Sequence, residues 1–400
     1  MTERKTKKIS VGFTVLVLLS AGLLLSTYVS DSKRHAAEGL QKPGTKTEKR
    51  PSNWHNYRGN ARLTGEVPDR LPDTVQLSWS FQTGDRIKSS PIVHEDVVFI
   101  GSDDGFLYAI RLDDGKKVWV FQADGPIEAP PLYEQESVFV SSVKGTLYSL
   151  DARTGGLNWT YSTGDRIVGS ANSMHDGEKH YLVAGSHDNH LYCFDMKTGT
   201  LIWTYRTESY INGTPSVAGD TVIFGGCDGL CHIISARTGQ PIAAIEAGSY
   251  VAGSIAVRDS LAVFGNYNGE LVGINIPGEK ILWSFSEDGT GAFLSSPAIS
   301  NNTVIAGSQD NRIYCIAADT GKKVWEFATR GNVDSSPIVG DNKIVAASTD
   351  GWIYCLDLTG GEEVWSYEIG AAISGSPAFA GGNIIIGAAD GNVYMLSPSQ

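Results

Sequence analysis

Two clusters in this 400-residue chain have the residue types of a metal or redox centre. Four of its eight histidines, His175, His180, His187 and His190, fall within one short stretch, and imidazole nitrogens are the commonest protein ligands for metals such as zinc. Cys227 and Cys231 flank a turn as Cys-Asp-Gly-Leu-Cys. That spacing serves a pair of free thiols, a disulfide in an oxidising compartment, or half of a metal site. A third set is electrostatic and aromatic, comprising Arg86, Lys88, Glu128, Arg166, Tyr210, Asn212, Tyr250 and Asp334, and it recurs at matching points of a repeated unit. What any of these can do depends on the elements that carry them.

Those elements repeat. Residues 335–365 contain runs with β-branched or aromatic side chains at every second position, the pattern of half-buried strands. Asp350-Gly351 between two of the runs suits a two-residue hairpin, and Thr359-Gly360-Gly361 makes the next turn before a strand bearing Trp365. The same order returns with tryptophan at 79, 119, 159, 203, 283, 325 and 365, and with Ala243 in one lapsed slot. The matching Asp-Gly-like dipeptides run from Asp104-Gly105 to Asp390-Gly391. A period near 40 residues with four strands per unit is that of propeller blades. The expected fold is all-β, an eight-bladed β-propeller of four-stranded antiparallel blades. The N-terminal strand around Trp79 precedes every triplet, and the last triplet has no fourth strand. Pairing the two closes the ring and removes two open sheet edges.

Placed on this frame, the four histidines separate. His175 and His180 fall in the turn between the first and second strands, His187 and His190 around the turn between the second and third. These turns lie at opposite ends of a strand, roughly 20 Å apart at about 3.3 Å per residue, so the four do not share one site. Cys193, Cys315 and Cys355 occupy one mid-strand repeat position and read as buried thiols.

The loops that enter each blade are where function is expected. If the middle residue of each loop points into the blade, its neighbours point to the channel or rim. Arg86, Lys88 and Arg166 then gather on blades one and three, and Tyr210 and Tyr250 are neighbours on blades four and five. Asn212 adds an amide, and Glu128 and Asp334 are acidic positions on blades two and seven. A basic and aromatic mouth would hold an anionic planar ligand or a partner segment, against the alternative of a solvated rim. No catalytic or metal-binding residues are assigned.

Charge divides the chain in two. The first 50 residues carry ten Lys+Arg against four Asp+Glu, whereas residues 51–400 carry 22 against 40. So acidic a body repels a phosphate backbone, which argues against nucleic-acid binding. Arg4, Lys5, Lys7 and Lys8 precede an uncharged apolar run from Ile9 to Ser30, long enough to cross a hydrocarbon core of roughly 30 Å as a helix. The basic flank predicts an N-inside anchor with an exported propeller, and a cleaved signal peptide is the alternative. The expected division is a signal anchor or signal peptide over 1–30, a flexible polar linker over 31–53, and the propeller over 54–400, a monomeric ring.

The repeat seen as Ser-Leu-Asp-Ala-Arg-Thr-Gly-Gly-Leu-Asn-Trp (149–159) resembles that of the pyrroloquinoline-quinone (PQQ)-type propellers. The stretch from Trp54 to Gly65 is similar to the segment that precedes the ring in many of them. The resemblance implies the propeller fold over residues 54–400 and two kinds of function. One is that of calcium- and quinone-dependent dehydrogenases, and the other that of non-catalytic members such as the B lipoprotein of the outer-membrane β-barrel assembly machinery. The chain has no adjacent cysteines and no long insertions between blades, both features of the dehydrogenases, and it lacks a lipidated cysteine. The expected function is a non-catalytic, membrane-anchored extracytoplasmic scaffold that binds another envelope protein and needs no cofactor. The alternative is a PQQ- and calcium-binding oxidoreductase, with Arg86 or Arg166 on the quinone and Tyr210 or Tyr250 stacked against it.

Overall fold

The computed structural model describes residues 53–399. The segment expected to cross the membrane therefore lies outside the described residues. Among the described residues no helix is long and apolar enough to cross a membrane. The chain forms eight four-stranded antiparallel sheets, each built from consecutive strands except the last. In blade one these are Ile92–His94, Val97–Gly101, Phe106–Arg111 and Lys117–Gln122, here strands A to D from the axis outward. In blade eight the order is Ala378–Ala380, Asn383–Gly387, Asn392–Pro398 and then Val75–Gln82 from the beginning of the propeller. Trp79 pairs with Met395 and Gln82 with Asn392, so the ring closes by strand exchange, as the strand count requires.

Burial follows the strand position. The B strands are apolar on both faces because each lies between neighbouring sheets, and the D strands alternate at the perimeter. The recurrent tryptophans sit between blades. Trp79 donates its indole N–H to Leu112 of the next blade at 2.8 Å, Trp119 to Ala152 at 3.0 Å, and Trp283 to Ala318 at 2.8 Å. Each ring lies over the glycine of the neighbouring C–D turn, where a Cβ on Gly115 would come within 2.8 Å of Trp79. Blade four has Ala243 in this slot, and the facing turn has changed with it. The Ile276 carbonyl, which would accept an indole, instead accepts the Glu279 amide of its own turn.

The turn between strands B and C differs from the expected two-residue hairpin. Strand B of blade one ends at Gly101 and strand C begins at Phe106, leaving a four-residue loop in which the Gly105 amide bonds to the Ser102 carbonyl. Asp104 Oδ1 accepts from the Phe106 amide, and Oδ2 accepts from the Tyr108 hydroxyl at 2.7 Å. The aspartate braces the loop, which is why it needs two more residues than a tight turn. The left-handed φ at the glycine position holds, +85° at Gly105 and +70° at Asn189.

Residues 54–72 have no period and form a strap around the lower face. Trp54 bridges Val93 of blade one, the His55 carbonyl accepts from Tyr133 of blade two, and Ala61 accepts from Asn172 and Val217 of blades three and four. Arg62, Thr64 and Gly65 then accept from Val257, Ile299 and Val339 of blades five to seven. Innermost strands have no neighbour on the axis side, so their amides need another acceptor, and the strap supplies it to Val93, Tyr133, Val217, Val257, Ile299 and Val339. Arg58 is 1% exposed and donates to the Pro297 and Pro337 carbonyls.

Candidate functional site

The loops entering each blade and the B–C loops share one face. In every blade the first residue of the entry loop accepts from the B–C loop, as Arg86 does from Asp103 and Tyr250 from Tyr267. The middle residues point inward as expected, with Ile87, Ile127, Ile211, Val251 and Ile373 at 0–1% exposure. They pack so closely under the preceding blade that a Cβ on Gly101 would lie 2.1 Å from Ile127. This explains the glycine that closes strand B.

The third residues line the channel. Lys88, Glu128, Asn212 and Asp334 face one another across a cavity of about 170 Å³, with Val168, Ala252, Leu294 and Ser374 between them. Arg86, Arg166, Tyr210 and Tyr250 stand on the rim instead and do not line the cavity. Sequence position alone had not divided the eight candidates this way.

The expected basic character of the mouth is corrected by geometry. Arg86 Nε lies 2.6 Å from Asp103, whose side chain is 6% exposed, and Lys88 pairs with both Asp103 and Glu128. The Asp103 hydrogen bond raises the pKa of Arg86. Burial pulls Lys88 down, but Glu128 and Asp103 outweigh it and the ammonium ends up raised. Both cations are thus held charged and locally neutralised. Asp103 lies in the B–C loop, outside the entry loops from which the mouth was read.

Deeper in the channel is a ring of hydroxyls. The Ser170 amide donates to Thr214 Oγ1, Thr214 to Ser254, Ser254 to Ser296, Ser296 to Ser336, Ser336 to Ser376 and Ser376 to Ser90, all at 2.8–2.9 Å. Blade two breaks the ring because Pro130 has neither an amide hydrogen nor a hydroxyl. Tyr57 of the strap enters from below and bonds Ser296 and Ser336 at 3.2 and 2.9 Å. A Ser or Thr stands at this position in seven of the eight repeats, a signal in plain view beside the prolines.

On the rim of blades three to five the chemistry is aromatic. His187 stacks on Tyr210 with centroids 4.9 Å apart, and Tyr250 meets Tyr267 edge-on at 6.3 Å. Tyr267 lies in a B–C loop and was missed in the sequence. Cys227 sits beside them, its sulfur accepting from Asn212 Nδ2 at 3.0 Å. Cys231 is fully buried in strand C, and both thiols are free. The possible disulfide is absent because the two side chains leave the loop in different directions, one to the rim and one to the core. Cys193, Cys315 and Cys355 are buried thiols as expected.

His175 and His180 lie on the lower face in register with each other, while His187 and His190 lie above. Among the described residues no three His, Cys, Asp or Glu converge to hold a metal ion. Tyr205, His232 and Asp228 are linked in series at 3.1 and 3.0 Å, but His232 is 3% exposed. It replaces the tyrosine that braces the B–C loop elsewhere, so this line of groups is structural.

The family model of the outer membrane protein assembly factor BamB matches residues 65–263 and 267–400. The chain belongs to the BamB family. Its fold is similar to that of BamB from Moraxella catarrhalis, with a TM-score of 0.68 and 20% identity over 81% of this chain and 98% of that one. A europium-containing methanol dehydrogenase superposes with a TM-score of 0.73 at 14% identity, covering 88% and 99% of the two chains. The computationally designed protein Ika8 superposes at 0.69 with 16% identity over 78% and 96%. At these identities the likenesses establish the propeller fold. Comparison with curated protein sequences gave no match.

The fold is thus shared with a methanol dehydrogenase, but this BamB-family mouth does not fit a quinone with its calcium ion. The cavity of about 170 Å³ is below the roughly 300–1,000 Å³ of small-molecule pockets. Arg86 is engaged by Asp103, and Tyr210 is covered on one face by His187.

Proposed function

We propose that this chain is a non-catalytic scaffold of the cell envelope that binds another envelope protein through the upper rim of blades three to five. In this reading residues 1–30 anchor or direct the chain at the membrane, 31–53 are a polar tether, and the propeller over 54–400 works as a monomeric ring on the extracytoplasmic side. The family supports an assembly role, which makes a component of outer-membrane protein assembly the expected partner.

The observation that carries the proposal is the asymmetry of the rim. Tyr210, Tyr250 and Tyr267 are 49%, 56% and 49% exposed, whereas the equivalent positions of blades six and eight are Ala292 and Ala372. Exposed tyrosines offer large rigid contact area with a polar tip and are enriched among residues that dominate binding. Arg166 stands at the edge of this crescent. The neutralised Arg86–Asp103 pair on blade one makes a poor anchor by comparison.

The test is a photo-crosslinker placed at Tyr250 in cells, with the same group at Ala372 as the control. The expected result is a discrete envelope-protein adduct at Tyr250 alone, lost in the Arg166→Ala/Tyr210→Ala background. Equal labelling at both positions, or none at Tyr250, overturns the assignment of the rim.

A further inference from the structure

The face opposite the mouth carries a second concavity. A groove of about 670 Å³ runs between the strap and the A–B hairpins of blades two, three and four, within the range of roughly 300–1,000 Å³ typical of ligand sites. Asn56 of the strap lines it and is only 6% exposed. Asn56 Nδ2 donates to Asn172 Oδ1 at 3.3 Å. Asn172 must accept there, because its own amide nitrogen is committed to the Ala61 and Pro215 carbonyls. That fixes the orientation of Asn56 and leaves its Oδ1 as a buried acceptor with no partner among the described residues. An acceptor left in this state costs about 1–3 kcal/mol.

The groups around it have one sign. Glu134 on the blade-two hairpin accepts from the Ser173 hydroxyl at 3.4 Å and lies 3.7 Å from the His180 ring, its polar partners among the described residues. Asp176 is taken by Arg237 at 3.3 Å, but no ion pair among the described residues involves Asp220, on the blade-four side of the groove. The three hairpins hold five carboxylates (residues 134, 136, 176, 178 and 220) against one lysine, Lys179. His55 adds no charge at neutral pH, since burial and then His94 lower its pKa.

The unpartnered Asn56 acceptor and the surplus of carboxylates favour a ligand that donates and is positive. The two carboxylates stand on hairpins two blades apart with Asn56 on the strap beside them, which calls for an elongated ligand with more than one cation. We propose that the groove is a second binding site, for an extended basic segment of another protein. One arginine of the segment faces Glu134, with its stem along Tyr133 and Met174, and a second faces Asp220, while Asn56 Oδ1 on the strap beside them is the buried acceptor left for a donor. The guanidinium suits the site better than an ammonium because its donors fan out in a plane. The site lies on the other face from the aromatic rim and does not rest on the reading of that rim.

The test uses the full-length chain in mild detergent and a fluorescein-labelled Ala-Arg-Ala-Arg-Ala-Arg peptide, followed by anisotropy near neutral pH. The expected result is saturable binding that Glu134→Gln and Asp220→Asn each weaken by about fivefold, the scale of one partly exposed charge contact. Tyr210→Ala on the opposite face leaves the binding unchanged. Both groove substitutions are near-isosteric, and unaltered tryptophan emission confirms that the variants are folded. Absence of saturable binding overturns the proposal. So does affinity in both variants that is unchanged from the parent protein, which would mean diffuse attraction to an acidic body, and so does equally tight binding of spermidine, which would make this a polyamine site.

Discussion

Trp365 donates its indole N–H to the carbonyl of Pro72 at 3.0 Å. In blades one to four and six to seven the equivalent acceptor is a residue of the C–D turn, such as Leu112 or Leu358. Blade eight has no such turn because its outer strand comes from the other end of the propeller. The residues just before Val75–Gln82 take the empty place, and blade seven is thereby latched to the segment that leads into the closing strand.

Trp365→Phe keeps much of the packing and removes this hydrogen bond, so a loss of about 1 kcal/mol is expected, against about 3 kcal/mol for Trp365→Ala. The distinguishing readout is hydrogen exchange. At the closure, protection of Val75–Gln82 and Asn392–Pro398 should fall together, because each strand holds the other. Exchange in these strands identical to the parent protein would show that the latch contributes nothing to closure.

The hydroxyl ring makes a prediction with two signs. Ser254→Ala leaves the buried Thr214 amide without its 2.8 Å acceptor, at an expected cost of about 1–3 kcal/mol. Pro130→Ser is expected to be neutral or stabilising by up to about 1 kcal/mol. It supplies both missing links, while the added freedom of the unfolded chain takes back about 0.4–1 kcal/mol. Denaturant melts of the two variants check this. A serine at 130 that destabilises as much as alanine at 254 would mean that the ring does not act as one network.

Stability should fall in two steps on acidification. His55, His94 and His187 all have pKa values lowered from 6.5, chiefly by burial. The unfolded chain binds protons first, so stability is complete above 6.5 and declines as pH drops toward the folded values. Asp124 and Asp390 are lowered from 3.8; burial opposes this, but hydroxyl and amide donors outweigh it. Their contribution is lost only below 3.8. His94→Gln should flatten the first step and leave the second, as read from denaturation midpoints across the range. A first step unchanged in that variant would remove His94 from the account.

The parts of this fold visible in the sequence are those that every blade must solve in the same way. A wedge between sheets needs a large ring with one donor, hence the tryptophans, and a left-handed turn residue needs glycine or asparagine. Closure followed from one surplus strand at the start of the propeller and one missing strand at its end. What could not be read is what only one blade does. Asp103 neutralises Arg86 from a different loop, and nothing in the spacing of the entry loops carries that information. The path of the strap was hidden because its carbonyls answer the periodic amides of the inner strands, while its own side chains have no period. The rim was half legible: Tyr210 and Tyr250 stand in the repeat register, but their neighbours His187 and Tyr267 come from the B–C loops and needed the face to be assembled.

Cys227 gives direct access to that rim. Of the five thiols it alone is partly exposed, and Cys193, Cys231, Cys315 and Cys355 are buried. Burial raises the Cys231 thiol to about 12, and raises Cys227 as well, though there Asn212 donates to the sulfur and works against it. A maleimide should therefore modify one thiol per native molecule and five on unfolding, with the single adduct mapping to Cys227 and forming faster as pH rises. Because Cys227 lies beside Tyr210, the adduct should also block partner crosslinking at Tyr250. Labelling of Cys227 without any effect on the crosslink would place the partner farther out on the rim than these residues.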